Sequence, residues 1–194
     1  MLFNKSGKVV GIVTGRTLEG TYRALRGNGI FPISGFPHVL VVNERDIYQL
    51  QDRGYAPVVE WNQSAWESEV IHLELGNRIA EQLISKVDFP IRLNDPEVQE
   101  RRGFVQLRFE NDQDSTRAES ILFELLEGQL LRPVRNTYLI DLRGHHVGKG
   151  IALKEVAQYL ELAPESILAV GDSQNDICML RDFVPATYKY RFVN

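Results

Sequence analysis

Two carboxylates, Asp172 and Asp176, stand four residues apart in "ILAVGDSQNDICML" (167–180), directly after a run of apolar residues. An acid placed just past a buried strand has backbone behind it and open space ahead, which suits a hard cation with oxygen ligands. Asp176, at the start of the following helix, can fall near the same point, and the Asn175 side chain offers an amide to an anion. The plainer alternative is a Gly171-Asp172-Ser173 turn with Asp176 capping the helix. Two other places invite an anion. Thr14, followed by Gly15 and Arg16, closes the run "KVVGIV". Its hydroxyl and the next backbone N–H groups, at a helix N-terminus, form a phosphate seat by geometry and dipole. A threonine that merely ends a strand before a glycine turn has the same pattern. Lys149 lies between Gly148 and Gly150 at the head of a helix. The glycines permit close backbone approach and the ammonium would compensate a phosphate or carboxylate; a mobile surface lysine is the rival reading.

These residues need elements to hold them. "KVVGIVTGRT" (8–17) reads as a buried strand ending at Thr14-Gly15, and "TLEGTYRALRGNG" (17–29) as a helix capped by Thr17. "HVLVVN" (38–43) is a second buried strand and "RDIYQL" a third. One long amphipathic helix is expected over 64–87, with Ser64 and Glu67 as its capping box. Then follow a strand at 104–109, a helix at 115–128, strands within 130–142, a helix at 148–162, the strand "SILAV" (166–170) and a last helix at 175–183. Fully apolar strands alternate with helices at the two ends, as in a parallel α/β sheet. The middle mixes helices with one-face-wet strands such as "VQLRF", as an inserted α+β unit would. The expected division is a core of 1–51 and 144–194 with an insert of 52–143. In an open parallel sheet ligands gather beyond the carboxyl ends of the strands, where Thr14 and Asp172 fall.

Composition narrows the classes. A 194-residue chain with 43% hydrophobic and 25% charged residues is ordinary globular material. The net charge of −4 shows no basic stripe and speaks against nucleic acid. No apolar run approaches the roughly 20 residues of a membrane span, and no signal-peptide pattern opens the chain. The single cysteine, Cys178, cannot form an internal disulfide and is expected to be buried and inert, so the default is a soluble cytoplasmic protein.

Taken together, T-G-R after the first strand, G-K-G before a helix and GDSxND after the next strand resemble the haloacid dehalogenase (HAD) superfamily of phosphohydrolases. The resemblance is closest to the branch with a large α/β cap, which includes Cof-type sugar phosphatases and sucrose-phosphate phosphatases. It implies a Rossmann-like core carrying an inserted cap. It also implies that Thr14 and Gly15 bind the transferring phosphate, that Lys149 neutralises phosphate and nucleophile, and that Asn175 lies near the phosphate. Asp172 would ligate Mg2+ with Asp176 supporting the metal shell. The implied reaction is Mg2+-dependent hydrolysis of a small phosphorylated metabolite, a sugar phosphate, through an aspartyl-phosphate.

The family's first motif, a hydrophobic strand ending in D-x-D-G-T, supplies the nucleophile and the acid/base. The thirteen residues before Thr14, "MLFNKSGKVVGIV", contain neither Asp nor Glu. "FENDQDST" (109–116) mimics the motif with Asp112 and Asp114, but its preceding strand alternates, and it reads as a turn leading into a helix. Three expectations follow: a truncated phosphatase, a sheet completed by another chain such as a second copy, or a non-catalytic binder of phosphate or metal. Glu44, Arg45 and Asp46 occupy the place where relatives usually have a glycine-containing turn, so an altered hinge is expected there. Trp61, Trp66 and Tyr55 are expected in a core rather than on a sugar, and His145 and His146 in a polar loop.

Overall fold

A computed structural model describes residues 8–30, 35–52, 54–171 and 174–182. The chain divides into two compact units, one of residues 1–65, 148–171 and 178–194, the other of 66–147 and 172–177. Among the described residues no helix is long and apolar enough to cross a membrane.

The first unit is built on a four-stranded sheet. Strand β1 (Gly11–Val13) runs parallel to β2 (Val39–Val42), and β3 (Asp46–Gln51) and β4 (Gly54–Pro57) continue it antiparallel in the order β1-β2-β3-β4. Between β1 and β2 runs α1 (Leu18–Gly27), whose cap is the Thr17 hydroxyl accepting the Gly20 N–H at 3.1 Å. Because strand side chains alternate, β2 faces two ways. Leu40 and Val42 pack with Leu25 of α1, whereas Val39 and Val41 pack with Ala152 and Val156 of α6 (Lys149–Tyr159). Trp61 joins that second cluster and donates its indole N–H to the Arg45 carbonyl at 2.9 Å, so it serves packing. Tyr55 donates to the Pro37 carbonyl at 2.5 Å, and burial raises its phenol pKa above the ordinary value.

Helix α2 (Val59–Val70) leads into the second unit, which contains α3 (Leu73–Lys86), β5 (Arg92–Leu93), α4 (Pro96–Arg102), β6 (Val105–Arg108), α5 (Asp112–Leu125), β7 (Leu131–Asn136) and β8 (Leu139–Gly144). Its sheet is antiparallel throughout, in the order β5-β6-β8-β7. One face carries Val105, Leu107, Ile140 and Leu142 against Ile79 and Leu83 of α3 and Ala118 and Leu122 of α5. The other face is polar: Gln106 donates to Asp141 at 2.7 Å across the β6–β8 pair. Arg143 and Glu69, each 1% exposed at the side chain, form a two-pronged ion pair, and the guanidinium lies 4.0 Å above the Phe104 ring.

Several expectations are corrected. The long helix over 64–87 is two helices, α2 and α3, with a break at Ile71-His72 where the His72 N–H turns back to the Glu69 carbonyl at 2.9 Å. Ser64 and Glu67 therefore lie inside α2 and form no capping box. Strand β1 is shorter than the apolar run and half-exposed, because its described pairing is with β2 alone. "SILAV" is no ladder strand: Pro164–Ser166 is a 3-10 turn, and 167–170 pairs with no described strand. Its residues alternate as a strand would, with Ala169 buried but Leu168 70% and Val170 76% exposed. Cys178 is half-buried rather than buried. The D-x-D mimic behaves as a helix start, with the Asn111 side chain accepting the Asp114 N–H at 2.9 Å and Asp112 and Asp114 in the first turn of α5.

Candidate active site

Thr14 follows the last residue of β1, and the backbone there is pinned from both sides. Its N–H donates to the Val41 carbonyl at 2.9 Å, its own carbonyl accepts the Glu44 N–H at 2.9 Å, and the Arg16 carbonyl accepts the Asn43 N–H at 2.8 Å. The Thr14 hydroxyl accepts the Arg16 N–H at 3.2 Å, an ST-turn that curls the loop over itself. Thr14 is half-buried, whereas Gly15 and Arg16 are exposed, so the loop presents an accessible surface immediately before α1.

Lys149 opens α6 between two glycines that shape the helix start. Gly148 caps α6 at φ 141, in the region that favours glycine. At Gly150 a Cβ would stand 2.9 Å from the Cys178 carbonyl oxygen, so only a hydrogen lets the head of α6 approach the start of α7 (Ile177–Asp182). Held in this way, Lys149 is 6% exposed in spite of its charge, and a buried ammonium needs a partner. Glu44 lies near it, with Oε1 3.9 Å from Lys149 Nζ. The same oxygen stands 3.3 Å from the position a Gly15 Cβ would take. Gly15 and Lys149 thus both lie near the Glu44 carboxylate, and Thr14 is tied to Glu44 through the backbone.

Glu44 owes its position to a tight hairpin. Asn43 and Glu44, at φ 52 and 59, are the central residues of the β2–β3 turn, closed by the Arg45 N–H donating to the Val42 carbonyl at 3.0 Å. Two successive left-handed residues match the primed turns that join twisted strands. The Asp46 carboxylate clamps the turn, accepting from Asn43 Nδ2 at 2.9 Å and from Arg45 Nε at 2.6 Å. Three non-glycine residues, Asn43 to Arg45, between β2 and β3 were the available sequence signal for this turn, and nothing in them told where the Glu44 carboxylate would point.

The acidic loop is described only in part. Asp172 lies outside the described residues. Asn175 and Asp176 are 7% and 5% exposed, in a 3-10 turn (Gln174–Asp176) that belongs with the second unit. Among the described residues no group of three His, Cys, Asp or Glu side chains converges as a metal site. The oxygen-only donors of Asp172 and Asp176 are of the type Mg2+ takes. His145 and His146 are exposed.

The sequence model of the haloacid dehalogenase-like hydrolases matches residues 38–184, and the chain belongs to that family. Over 77 residues it is 36% identical to a phosphoglycolate phosphatase of Methanoculleus marisnigri, a match covering 40% of this chain and 32% of that protein. The chain thus spans about a third of the length of this curated relative. Its fold is similar to that of the sucrose-phosphatase of Synechocystis in complex with sucrose and phosphate, with a TM-score of 0.62 at 17% identity over 91% of this chain and 67% of that one. The IMP-nucleotidase of Plasmodium falciparum is similar with a TM-score of 0.60 at 11% identity, over 87% of this chain and 46% of that one. The fold is therefore the HAD-like, Rossmann-type mixed α/β arrangement, its parallel pair being β1 and β2.

Proposed function

We propose that this chain carries the phosphate-holding part of a Mg2+-dependent phosphomonoesterase acting on a small phosphorylated metabolite, a sugar phosphate, in the cytoplasm. The observation that carries the reading is the buried Lys149 ammonium at the head of α6, beside the Glu44 carboxylate that also lies near Gly15. A lysine buried in this way is a fixed positive charge in a medium that screens it poorly, which suits a phosphate dianion.

In the reaction a carboxylate oxygen attacks phosphorus while the bond to the alcohol oxygen breaks, and the alcohol leaves with a proton. Water then hydrolyses the acyl phosphate, releasing inorganic phosphate and restoring the carboxylate. The nucleophile and the proton donor are not among the 194 residues of this chain. Thr14 and the loop N–H groups would orient the phosphate, and Lys149 would offset charge on its oxygens. Asp172 and Asp176 would hold Mg2+, which supplies charge stabilisation to the transferring phosphoryl group. The 52–143 segment would act as a cap that selects the substrate, and support for its autonomy is the core it closes by itself. A second reading, a phosphate or metal binder without turnover, draws on Glu44 beside Lys149.

Phosphatase assay separates the two readings. The chain should be inactive toward p-nitrophenyl phosphate and sugar phosphates, and the same chain extended by a strand ending in D-x-D-G-T, or mixed with a second chain supplying it, should turn them over. Inactivity in every format would favour the binder. The edge of β1 and the segment 167–170, each without a described strand partner on one side, support a further strand, from this protein or a second copy.

A further inference from the structure

The catalytic chemistry proposed above gives Glu44 no role, although its carboxylate lies near both Gly15 and Lys149. The residue is 4% exposed, and its backbone sits at φ 59, where a side chain costs conformational energy. That conformation is over-determined: the Glu44 N–H is tied to the Thr14 carbonyl at 2.9 Å, and the Asn43 N–H to the Arg16 carbonyl at 2.8 Å. Asp46 clamps the turn from its other side. These bonds hold the turn against the Thr14 loop through the backbone.

We propose that Glu44 is a built-in competitor for the anion seat, its carboxylate taking the Lys149 ammonium that a phosphate would take and so setting a low affinity for free phosphate. This rests on the reading of Thr14, Gly15 and Lys149 as a phosphate seat and assigns that seat its control. The argument is one of charge and shape. A carboxylate presents oxygens of the same kind as a phosphate, and a single Glu44 oxygen faces both Gly15, at 3.3 Å from a Cβ position, and Lys149 Nζ, at 3.9 Å. A dianion entering the loop meets this negative charge at the distance from which it seeks the positive one. Burial of Glu44 and Lys149 removes most of the screening that would soften the conflict. At 3.9 Å the Glu44–Lys149 pair is longer than a charge-assisted hydrogen bond, so it acts through charge. The seat should therefore fill only at high phosphate, or when the ligand's charge is reduced by a bound cation.

Calorimetric titration of the full chain with inorganic phosphate tests this in wild type, Glu44→Gln and Glu44→Gly, each with and without Lys149→Met. Gln keeps the size and removes the charge, and Gly suits the left-handed turn, so misfolding of one variant leaves the other to decide. Both variants should bind phosphate at least tenfold more tightly than wild type, and Lys149→Met should abolish the gain. Should Glu44→Gln and Glu44→Gly bind no more tightly while Lys149→Met weakens wild type, the seat stands and the competitor is overturned. Absence of any Lys149-dependent phosphate binding in all variants overturns the seat and the competitor together.

Discussion

The sheet of the second unit is antiparallel throughout and packs one face against α3 and α5 in a single continuous cluster. The first unit divides its apolar residues among three smaller clusters, and it leaves Leu168 and Val170 more than two-thirds exposed on an extended segment with no described strand beside it. The difference teaches that the two units are stabilised differently. The self-sufficient unit holds its shape by packing, and the unit with the charged loop depends on close backbone approaches, left-handed turns and a buried lysine. The two units hold their shapes by different means.

The sharpest way to break this contrast is to attack the buried Arg143–Glu69 pair of the second unit. Arg143→Ala should destabilise that unit by about 4 kcal/mol, because the buried Glu69 carboxylate then loses the Arg143 charge beside it. The combined Arg143→Met, Glu69→Leu chain should recover most of that loss in urea unfolding, which would assign the unit's strength to packing. A double variant as unstable as Arg143→Ala would make the ion pair essential. In the first unit, Gly150→Ala should cost about 2 kcal/mol, since its Cβ meets Cys178 backbone rather than a flexible side chain. Thermal unfolding measures this, and an unchanged midpoint would mean that α6 and α7 do not need their close approach. Asn111→Ala, removing the α5 cap, should cost about 1 kcal/mol. At the small end, Leu168→Ser should change stability by less than about 0.5 kcal/mol, because the side chain is already in water. A large loss there would show the segment to be packed and the contrast to be false.

Much of this was legible in the residues. Thr17 as a cap, the apolar β2, the alternating β6 and the start of α5 at the D-x-D mimic depend on neighbours within a few positions, and local pattern captures them. The break between α2 and α3 was not legible, since no proline or glycine stands at Ile71-His72 to mark it. The segment "SILAV" has the composition of a buried strand, but a strand requires a partner, and composition cannot tell whether one is beside it. The same limit applies to Glu44. Its sequence position suggested a hinge, yet its role follows from the distances to Lys149 and Gly15, one of them more than a hundred residues away.

By itself the sequence determined the family, through three short motifs in order, and the residue types that could bind an anion or a cation. These are local chemistry, a hydroxyl beside glycine, a lysine between glycines, acids after an apolar run. Tertiary structure alone decided which charges share a space: it buried Lys149, turned the Asn43-Glu44 hairpin back onto the Thr14 loop, and set a carboxylate at the ammonium. The physical reason is that electrostatic energy depends on distance and burial, and neither is a property of a residue before the chain has folded.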